Sequence, residues 1–305
     1  MATGKGANGP TKRDRREEAR EHARLMREEA RKRAQRRKWW LQGSIVFVVI
    51  AILAVVGLFV YNGVSASANV ANPKNMVSNG ILLTSTTKAV STPAIAKGEP
   101  PTPTTQSNAA GKANITMYVD YQCPYCNQFE TANATQIGQW LNGGIATVEI
   151  HPIAILDASS SGTKYSTRAA NAAACVANYD PNKFYAVNSA LFANQPAEGG
   201  TGLTDSKILS VLKGAGASSS AITKCVNNQT FKDWVSSATT RVLTKPLPNS
   251  TMAKLTGTPT VIVNGQQYTG SLSDANAFLQ FVGSAVQAAS STSSPTPTPT
   301  PTPSK

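Results

Sequence analysis

Cysteine and histidine, which supply the ligands of most zinc sites, are scarce in this sequence. The 305 residues include four cysteines and two histidines. Cys123 and Cys126 form a Cys-x-x-Cys pair, which is also half of a common zinc site. No other cysteine or histidine pair has ligand spacing. We therefore predict no metal site.

Charge is missing from one long stretch. Residues 39–61 contain no Asp, Glu, Lys or Arg and are rich in Val, Ile and Leu. As a helix these residues would extend about 34 Å, which is enough to cross a bilayer. Trp39, Trp40 and Tyr61 lie at its two ends, where aromatic rings favour the membrane interface. The sequence therefore predicts one transmembrane helix.

The charge on either side of this helix predicts its orientation. Residues 1–38 hold 14 Lys and Arg against 6 Asp and Glu, whereas the remainder holds 15 against 10. Because basic residues accumulate on the cytoplasmic side, we predict a basic cytoplasmic tail at 1–38 and an extracytoplasmic C-terminal part. The net charge of +13 does not indicate a nucleic-acid partner, since the basic block ends where the apolar run begins. A cleaved signal peptide is the competing interpretation because residues 66–68 (Ala-Ser-Ala) resemble a cleavage site, although the long leader argues against it.

Two segments have the composition of unpacked chain. Residues 62–75 are rich in Ser, Ala and Asn and are interpreted as a linker. Residues 290–305 contain five prolines alternating with threonine and predict a disordered, solvated tail. Residues 76–289 are expected to form the globular domain.

The Cys123-Pro124-Tyr125-Cys126 motif stands between a β-prone run and a segment, residues 127–141, with helical character. The first cysteine of such a junction lies near the unpaired N–H groups and the positive dipole end of the helix, which favour thiolate over thiol. The second lies one turn along and can close a disulfide with the first. The motif therefore predicts redox chemistry, with Cys123 as the nucleophile at the exposed start of the helix and Cys126 as its partner.

A second motif narrows this interpretation. Pro259 opens a β-prone run that ends in Asn264-Gly265, a strong hairpin signal. This strand resembles the cis-proline strand of thioredoxin-fold proteins. With Asp120-Tyr121-Gln122 ahead of the cysteines, residues 75–288 resemble the DsbA-like thiol–disulfide oxidoreductases in a membrane-anchored bacterial form.

The resemblance implies an α/β fold, namely a thioredoxin fold with a helical insertion between the CPYC half and the cis-proline half. The insertion is expected at about residues 162–250, where Phe231, Trp234, Val235, Ala238 and Val242 form a helical stripe. The hydrophobic pattern predicts strands at 115–121, 146–155, 260–263 and 267–269, a short first strand or hairpin from 81–83 and 94–95, and a last helix from about 273.

The resemblance also implies roles for individual residues. Thr258 and Pro259 match the family's cis-proline pair, and with Pro124 and Tyr125 they are the expected substrate-binding residues, because a proline leaves neighbouring backbone groups free to hold an extended chain.

The remaining cysteines are Cys175 and Cys225. An even number of cysteines outside the membrane favours their pairing in a structural disulfide, with a second redox pair as the alternative.

The sequence departs from the family at two positions. Tyr125 replaces the histidine of DsbA, which removes one stabiliser of the thiolate. Many thioredoxin-fold enzymes place a buried carboxylate six residues before the first cysteine as a proton acceptor, and Met117 occupies that position here. Asp120 and Glu149 are candidate substitutes, but a solvated or structural role is favoured for both, and His151 is interpreted as a strand-end residue.

We therefore predict an extracytoplasmic oxidoreductase that forms disulfides in exported cysteine-containing proteins and uses no cofactor. By the resemblance, a membrane quinone-linked thiol oxidase would reoxidise it. A disulfide reductase or isomerase is one alternative, although residues 62–112 offer little material for the dimerisation domain of such isomerases. A metal-handling binding module is the other, with His151 as its candidate ligand.

Overall fold

The computed structural model describes residues 71–107, 109 and 111–292. The predicted cytoplasmic tail, the predicted transmembrane helix at 39–61 and most of the two unpacked segments lie outside these residues. Within the described ranges, no helix has the length and hydropathy needed to cross a membrane.

The described residues form the predicted α/β fold, and its sheet has six strands. The strands are β1 (Ile81–Ser85), β2 (Lys88–Ala89), β3 (Ala113–Val119), β4 (Ala146–Pro152), β5 (Thr260–Val263) and β6 (Gln266–Gln267). Their order in the sheet is β2-β1-β4-β3-β5-β6. Only β3 and β4 pair in parallel, and both are buried along their whole length.

Seven α helices accompany this sheet within the described ranges. They are α1 (Pro124–Asn142), α2 (Tyr165–Tyr179), α3 (Phe184–Ala193), α4 (Asp205–Gly214), α5 (Ser220–Asn227), α6 (Lys232–Thr244) and α7 (Ala275–Thr292). Helix α1 connects the parallel strands β3 and β4. Helices α2 to α6 lie between β4 and β5 in the sequence, which confirms the predicted helical insertion.

The alternation of side chains along β3 divides the core between the two faces of the sheet. Met117 and Val119 belong to a large apolar cluster that includes residues of α1, α7 and the helical insertion. Tyr118 points to the other face, where it packs in a second cluster with Val242 of α6 and Ile262 of β5. The insertion and the sheet therefore share one continuous core on the first face.

The Asn264-Gly265 turn joins β5 to β6 in the predicted hairpin. Val263 pairs directly with Gln266, and the two turn residues have φ angles of +46° and +85°. Positive φ at both central residues is the backbone requirement that favours Asn-Gly in two-residue hairpins.

Several predicted boundaries differ from the structure. Strand β4 ends at Pro152 rather than 155, because the backbone N–H groups of Ile155 and Leu156 bond to the Asp120 carboxylate instead of a neighbouring strand. Residues 94–95 form no strand, and β1 instead pairs with Lys88–Ala89.

The ends of the domain also differ by a few residues. The chain is already packed at Asn72, whose amide donates to the carbonyl oxygen of Ile95, so contacts begin within the predicted linker. At the other end, α7 continues to Thr292 and takes in the first residues of the predicted tail.

Candidate active site

The CPYC motif forms the start of α1. Cys123 is the N-cap residue and Pro124 the first helical residue. The backbone N–H groups of Cys126 and Asn127 donate to the Cys123 carbonyl oxygen at 3.0 and 3.2 Å, which closes the first turn. No side chain caps this end of the helix, so the positive end of its dipole is directed toward the Cys123 side chain.

Antiparallel pairing of β3 with β5 brings the second motif to the first. Tyr118 pairs with Thr260, so residues 258 and 259 lie beside the end of β3, where the chain turns toward Cys123. The Thr258-Pro259 peptide bond is cis. The Cys123 sulfur lies 3.3 Å from the carbonyl oxygen of Thr258. The structure therefore places Thr258 and Pro259 against the redox pair, although 135 positions separate Cys123 from Thr258.

Burial of the first cysteine differs from the prediction. Only 3% of Cys123 is exposed, whereas 53% of Tyr125 is exposed and Pro124 is also at the surface. The prediction of an exposed Cys123 was wrong because a helix start considered alone omits the segment around Thr258, which covers the sulfur. Pro124 and Tyr125 are the parts of the motif that a binding protein meets first.

The pKa values of the two thiols are shifted in opposite directions. Both are free thiols in this structure. A hydrogen bond from the Cys126 thiol lowers the pKa of Cys123 and outweighs the effect of burial, and the Thr258 side chain and the Cys126 backbone N–H lower it further. Burial raises the pKa of Cys126 well above its usual value, and the neighbouring Cys123 adds to this effect. The arrangement favours a Cys123 thiolate beside a protonated Cys126.

Thr258 has two groups that serve the two protonation states of Cys123. In the thiol form, Cys123 donates a hydrogen bond to the Thr258 carbonyl oxygen. That bond is lost when the thiol ionises. With Cys123 as a thiol, the Thr258 hydroxyl is buried and has no partner among the described residues. It can donate to the thiolate, and this donation is how the Thr258 side chain lowers the pKa of Cys123.

Hydrogen bonds from two glutamine side chains hold the segment that leads to Cys123. Gln195, just after α3, donates from Nε2 to the carbonyl oxygens of Tyr121 and Cys123 at 3.1 and 3.0 Å. The side-chain amide of Gln122 donates from Nε2 to the Ser159 carbonyl oxygen at 2.8 Å. Sequence reasoning did not predict Gln195, because neither its type nor its surroundings in the chain indicate these contacts.

Comparison with known proteins identifies the family. A thioredoxin family model matches residues 100–281, well over half of the chain. The chain belongs to the thioredoxin family. No curated protein matches it significantly.

Solved structures of three bacterial proteins are similar to this chain. Reduced DsbA from Mycobacterium tuberculosis is 24% identical with a TM-score of 0.51, and the match covers 71% of this chain and 100% of that one. The reduced disulfide bond oxidoreductase DsbG from the same organism is 27% identical with a TM-score of 0.49, covering 59% and 84%. Oxidised BdbD from Bacillus subtilis is 17% identical with a TM-score of 0.47, covering 73% and 100%. The fold of this thioredoxin-family chain is DsbA-like.

Two buried carboxylates lie near the cysteines of this thioredoxin-family site. Asp120 is fully buried, and burial raises its pKa to about 6. Glu130 follows Cys126 by one helical turn, and burial raises its pKa although Ser189 and Asn188 donate hydrogen bonds to it at 2.7 and 3.2 Å. Sequence reasoning considered Asp120 but missed Glu130, whose signal is a Glu four residues after the second cysteine on a buried helix face.

Glu149 and His151 lie on β4 and form a cluster of their own. Burial opposes ionisation of Glu149, but His151 and the hydroxyl groups of Ser78 and Thr104 outweigh it and lower its pKa to about 2. The His151 ring stacks on Tyr118 at 4.5 Å, with Nε2 at 3.6 Å from the Glu149 carboxylate. Within the described residues neither side chain hydrogen-bonds to a cysteine, which favours the structural role.

A metal-handling site would require ligands close to the cysteines. His151, the candidate ligand, instead packs between Tyr118 and Glu149. Across residues 71–107, 109 and 111–292, no three His, Cys, Asp or Glu side chains group in a way that could hold a metal ion.

Proposed function

We propose that this protein is a thiol–disulfide oxidoreductase that forms disulfides in exported proteins through Cys123 and Cys126. The observation that carries the proposal is the geometry of the motif: Cys123 caps the start of α1, and its sulfur lies 3.3 Å from the carbonyl oxygen of Thr258, in the segment that bears Pro259. In this setting the pKa of Cys123 is lowered and that of Cys126 is raised. A stabilised Cys123 thiolate is a stabilised reduced state, and this makes the protein's disulfide an oxidant.

The reaction proceeds by two exchanges. A substrate thiolate attacks the Cys123 sulfur of the disulfide, a mixed disulfide forms, and Cys126 leaves and takes up a proton. A second substrate thiolate then attacks the substrate sulfur of the mixed disulfide and displaces Cys123 as a thiolate. Two substrate thiols are oxidised to a disulfide, and the protein's disulfide is reduced to a thiol and a thiolate. The preferences of the two sulfurs match these roles, since Cys123 leaves as an anion and Cys126 retains the proton.

Substrate binding is assigned to the surface around the motif. Pro124 and Tyr125 are exposed, and Thr258 and Pro259 are half-buried beside the Cys123 sulfur. Proline has no backbone N–H, so the neighbouring backbone groups of the segment can pair with an extended substrate instead of a further strand.

The proposed location is the outer side of the membrane, with residues 39–61 as a single-pass anchor and residues 1–38 in the cytoplasm. Charge asymmetry supports this orientation, and the Cys175–Cys225 disulfide suits an oxidising compartment. Protease added to spheroplasts should digest the domain and spare the N-terminal tail. A protected domain would overturn the proposed location. A membrane quinone-linked thiol oxidase is the proposed reoxidant.

Trapping of mixed disulfides tests the proposed reaction. In Cys126→Ala, the Cys123 thiolate attacks a disulfide of an exported protein, and one sulfur of that disulfide leaves as a thiolate. No Cys126 remains to release Cys123 from the mixed disulfide, so the variant should accumulate exported proteins bound through a reducible bond. Cys123→Ala should capture none, because the buried Cys126 stays protonated. Equal capture by both variants, or none by either, would contradict the proposal.

A further inference from the structure

Asp120, three residues before Cys123, has a buried carboxylate that joins two loops. One oxygen of Asp120 accepts from the backbone N–H of Gln122 at 2.9 Å, and the other accepts from those of Ile155 and Leu156 at 2.8 and 3.0 Å. The Asp120 carbonyl oxygen also accepts from the N–H of Cys123 at 3.0 Å. Asp120 therefore connects the turn that leads into Cys123 with the turn after β4.

We propose that Asp120 is a positioning residue of the redox pair: its carboxylate fixes the approach to Cys123, and its buried negative charge limits the stability of the Cys123 thiolate. This inference rests on the proposed function, because it concerns the oxidising strength of the same two cysteines.

The charge of Asp120 has no cation to balance it in the described structure. Its hydrogen-bond donors are neutral backbone N–H groups, and no described Lys, Arg or His forms an ion pair with it. A thiolate at Cys123 is a second negative charge in the same poorly solvated region. Two like charges in such surroundings raise each other's proton affinity.

The other ionisable groups that face Asp120 are not basic. Asp157 from the turn after β4 and Tyr165 from α2 are coupled to it electrostatically, as is Cys123. Asp120 in turn raises the pKa of Cys123, against the larger lowering effect of the Cys126 thiol. The start of α1 thus stabilises the Cys123 thiolate, and the Asp120 carboxylate destabilises it.

The hydrogen bonds of Asp120 distinguish this role from that of a proton acceptor for Cys126. Its two oxygens already accept from three backbone N–H groups in two loops. Taking up a proton would weaken these bonds, because a neutral carboxyl group is a poorer acceptor than a carboxylate. The carboxylate is therefore suited to hold the loops and to act on Cys123 through its charge.

Asp120→Asn in the full-length protein tests the charge. It keeps the shape of the side chain and removes the anion, and its NH2 group replaces one acceptor oxygen, so at least one backbone N–H loses its partner. We expect the pKa of Cys123, measured from the pH dependence of its alkylation, to fall by about half a unit to one unit, which is roughly a threefold to tenfold gain in thiolate stability. The equilibrium with glutathione should shift by a similar factor toward reduced protein.

Asp157→Asn is the matched control. Asp157 lies in the turn after β4, the turn that the Asp120 carboxylate also binds. Its carboxylate accepts from the Thr167 backbone N–H and hydroxyl at 2.9 and 2.7 Å. Asp157→Asn therefore loosens this turn but changes no hydrogen bond of the segment that leads to Cys123. It should leave the pKa of Cys123 unchanged. An unchanged pKa in Asp120→Asn, or an equal shift in both variants, would overturn the inference.

A measurement on the unmodified protein covers the case in which Asp120→Asn does not fold. Coupling between two groups is reciprocal, so the thiolate must raise the pKa of Asp120 by as much as Asp120 raises that of Cys123. Carbon-13 NMR of labelled aspartate should show Asp120 titrating at higher pH in the reduced than in the disulfide form. Identical titration in the two forms would overturn the inference alone, whereas a pair that does not equilibrate with glutathione would overturn the proposed function.

Discussion

Cys123 and Cys126 carry the same side chain three positions apart, yet their surroundings give them different chemistry. Cys123 ends the extended segment before α1 and faces the N–H groups of the first turn, whereas Cys126 lies inside the helix among buried side chains. A hydrogen bond from Cys126 to Cys123 lowers the pKa of Cys123, and burial raises that of Cys126. The preference for a thiolate at Cys123 and a thiol at Cys126 therefore follows from local geometry.

Gln195→Met should slow exchange at Cys123. The substitution keeps the length of the side chain and removes the donor to the carbonyl oxygens of Tyr121 and Cys123. Losing these bonds should lower the free energy of unfolding by about 1 kcal/mol. It should also reduce the rate of disulfide exchange with a model peptide, because the first turn of α1 is less firmly oriented.

Gln136→Met is the control for this variant. Gln136 also donates to a backbone carbonyl oxygen, that of Ala275 at 3.0 Å, but it links α1 to α7 away from the cysteines. A similar loss of stability with an unchanged exchange rate is expected. If both variants slow exchange equally, Gln195 has no particular role in positioning.

The cysteine pair and Thr258-Pro259 could be predicted from sequence because each motif is local. Cys123 and Cys126 are separated by two residues, and Pro259 stands directly before its strand and turn. The contacts of Gln195, Asn188 and Glu130 could not be predicted, because they join residues 58 to 74 positions apart. The same reason explains the wrong prediction of an exposed Cys123, which is covered by a segment 135 positions away.

At the scale of elements, a disulfide and a hydrogen bond join parts of the helical insertion to each other, and another hydrogen bond joins it to the chain after β4. The Cys175–Cys225 disulfide joins α2 to α5, with Cα atoms 5.9 Å apart. Asn171 of α2 accepts from the backbone N–H of Phe231, just before α6. Thr239 of α6 accepts from the N–H of Ala154, which follows β4. The hydrophobic pattern of the sequence predicted the helices. Of these three contacts, only the disulfide could be predicted from the sequence.

Replacing Cys175 and Cys225 by alanine should destabilise the domain and spare the redox reaction. The disulfide closes a loop of 50 residues, and loss of this constraint costs roughly 4 kcal/mol in the chain-entropy account. Denaturant unfolding followed by tryptophan fluorescence measures the loss. The trapping reaction of Cys123, measured with Cys126→Ala added to the double variant, should persist below the unfolding transition. Loss of trapping in the folded double variant would show that the pair takes part in redox chemistry.

Glu149→Gln should reduce the slope of the free energy of unfolding against pH in acid. The lowered pKa of Glu149 means that its contribution is complete above about pH 4.5 and is lost as the pH falls toward 2, because the unfolded chain then binds a proton that the folded chain does not. The expected slope is about 1.4 kcal/mol per pH unit.

The raised pKa of Asp120 acts with the opposite sign. Its contribution is lost as the pH rises from 3.8 toward 6, so unfolding measured between pH 2.5 and 3.8 isolates Glu149. Glu198→Gln, at an exposed position, serves as the control and should retain the wild-type slope. A wild-type slope in Glu149→Gln would contradict the assigned network of Ser78, Thr104 and His151.

At the scale of the whole molecule, the site is assembled from three separate parts of the chain. The CPYC motif supplies the sulfurs, the segment after the insertion supplies Thr258 and Pro259, and the insertion supplies Gln195. The apolar core shared by the sheet and the insertion keeps these parts in place. An oxidising role outside the membrane follows only if this assembly stabilises the reduced pair, because the fold alone serves reductants as well as oxidants.

The redox potential of the Cys123–Cys126 couple tests this account most directly. It is obtained by equilibrating the full-length protein with graded ratios of reduced and oxidised glutathione and quantifying the free thiols of the pair. The account predicts a potential above about −200 mV, in the range of proteins that donate disulfides. A value near about −270 mV, typical of thioredoxin-type reductants, would show that the Cys123 thiolate is not stabilised and would contradict the account.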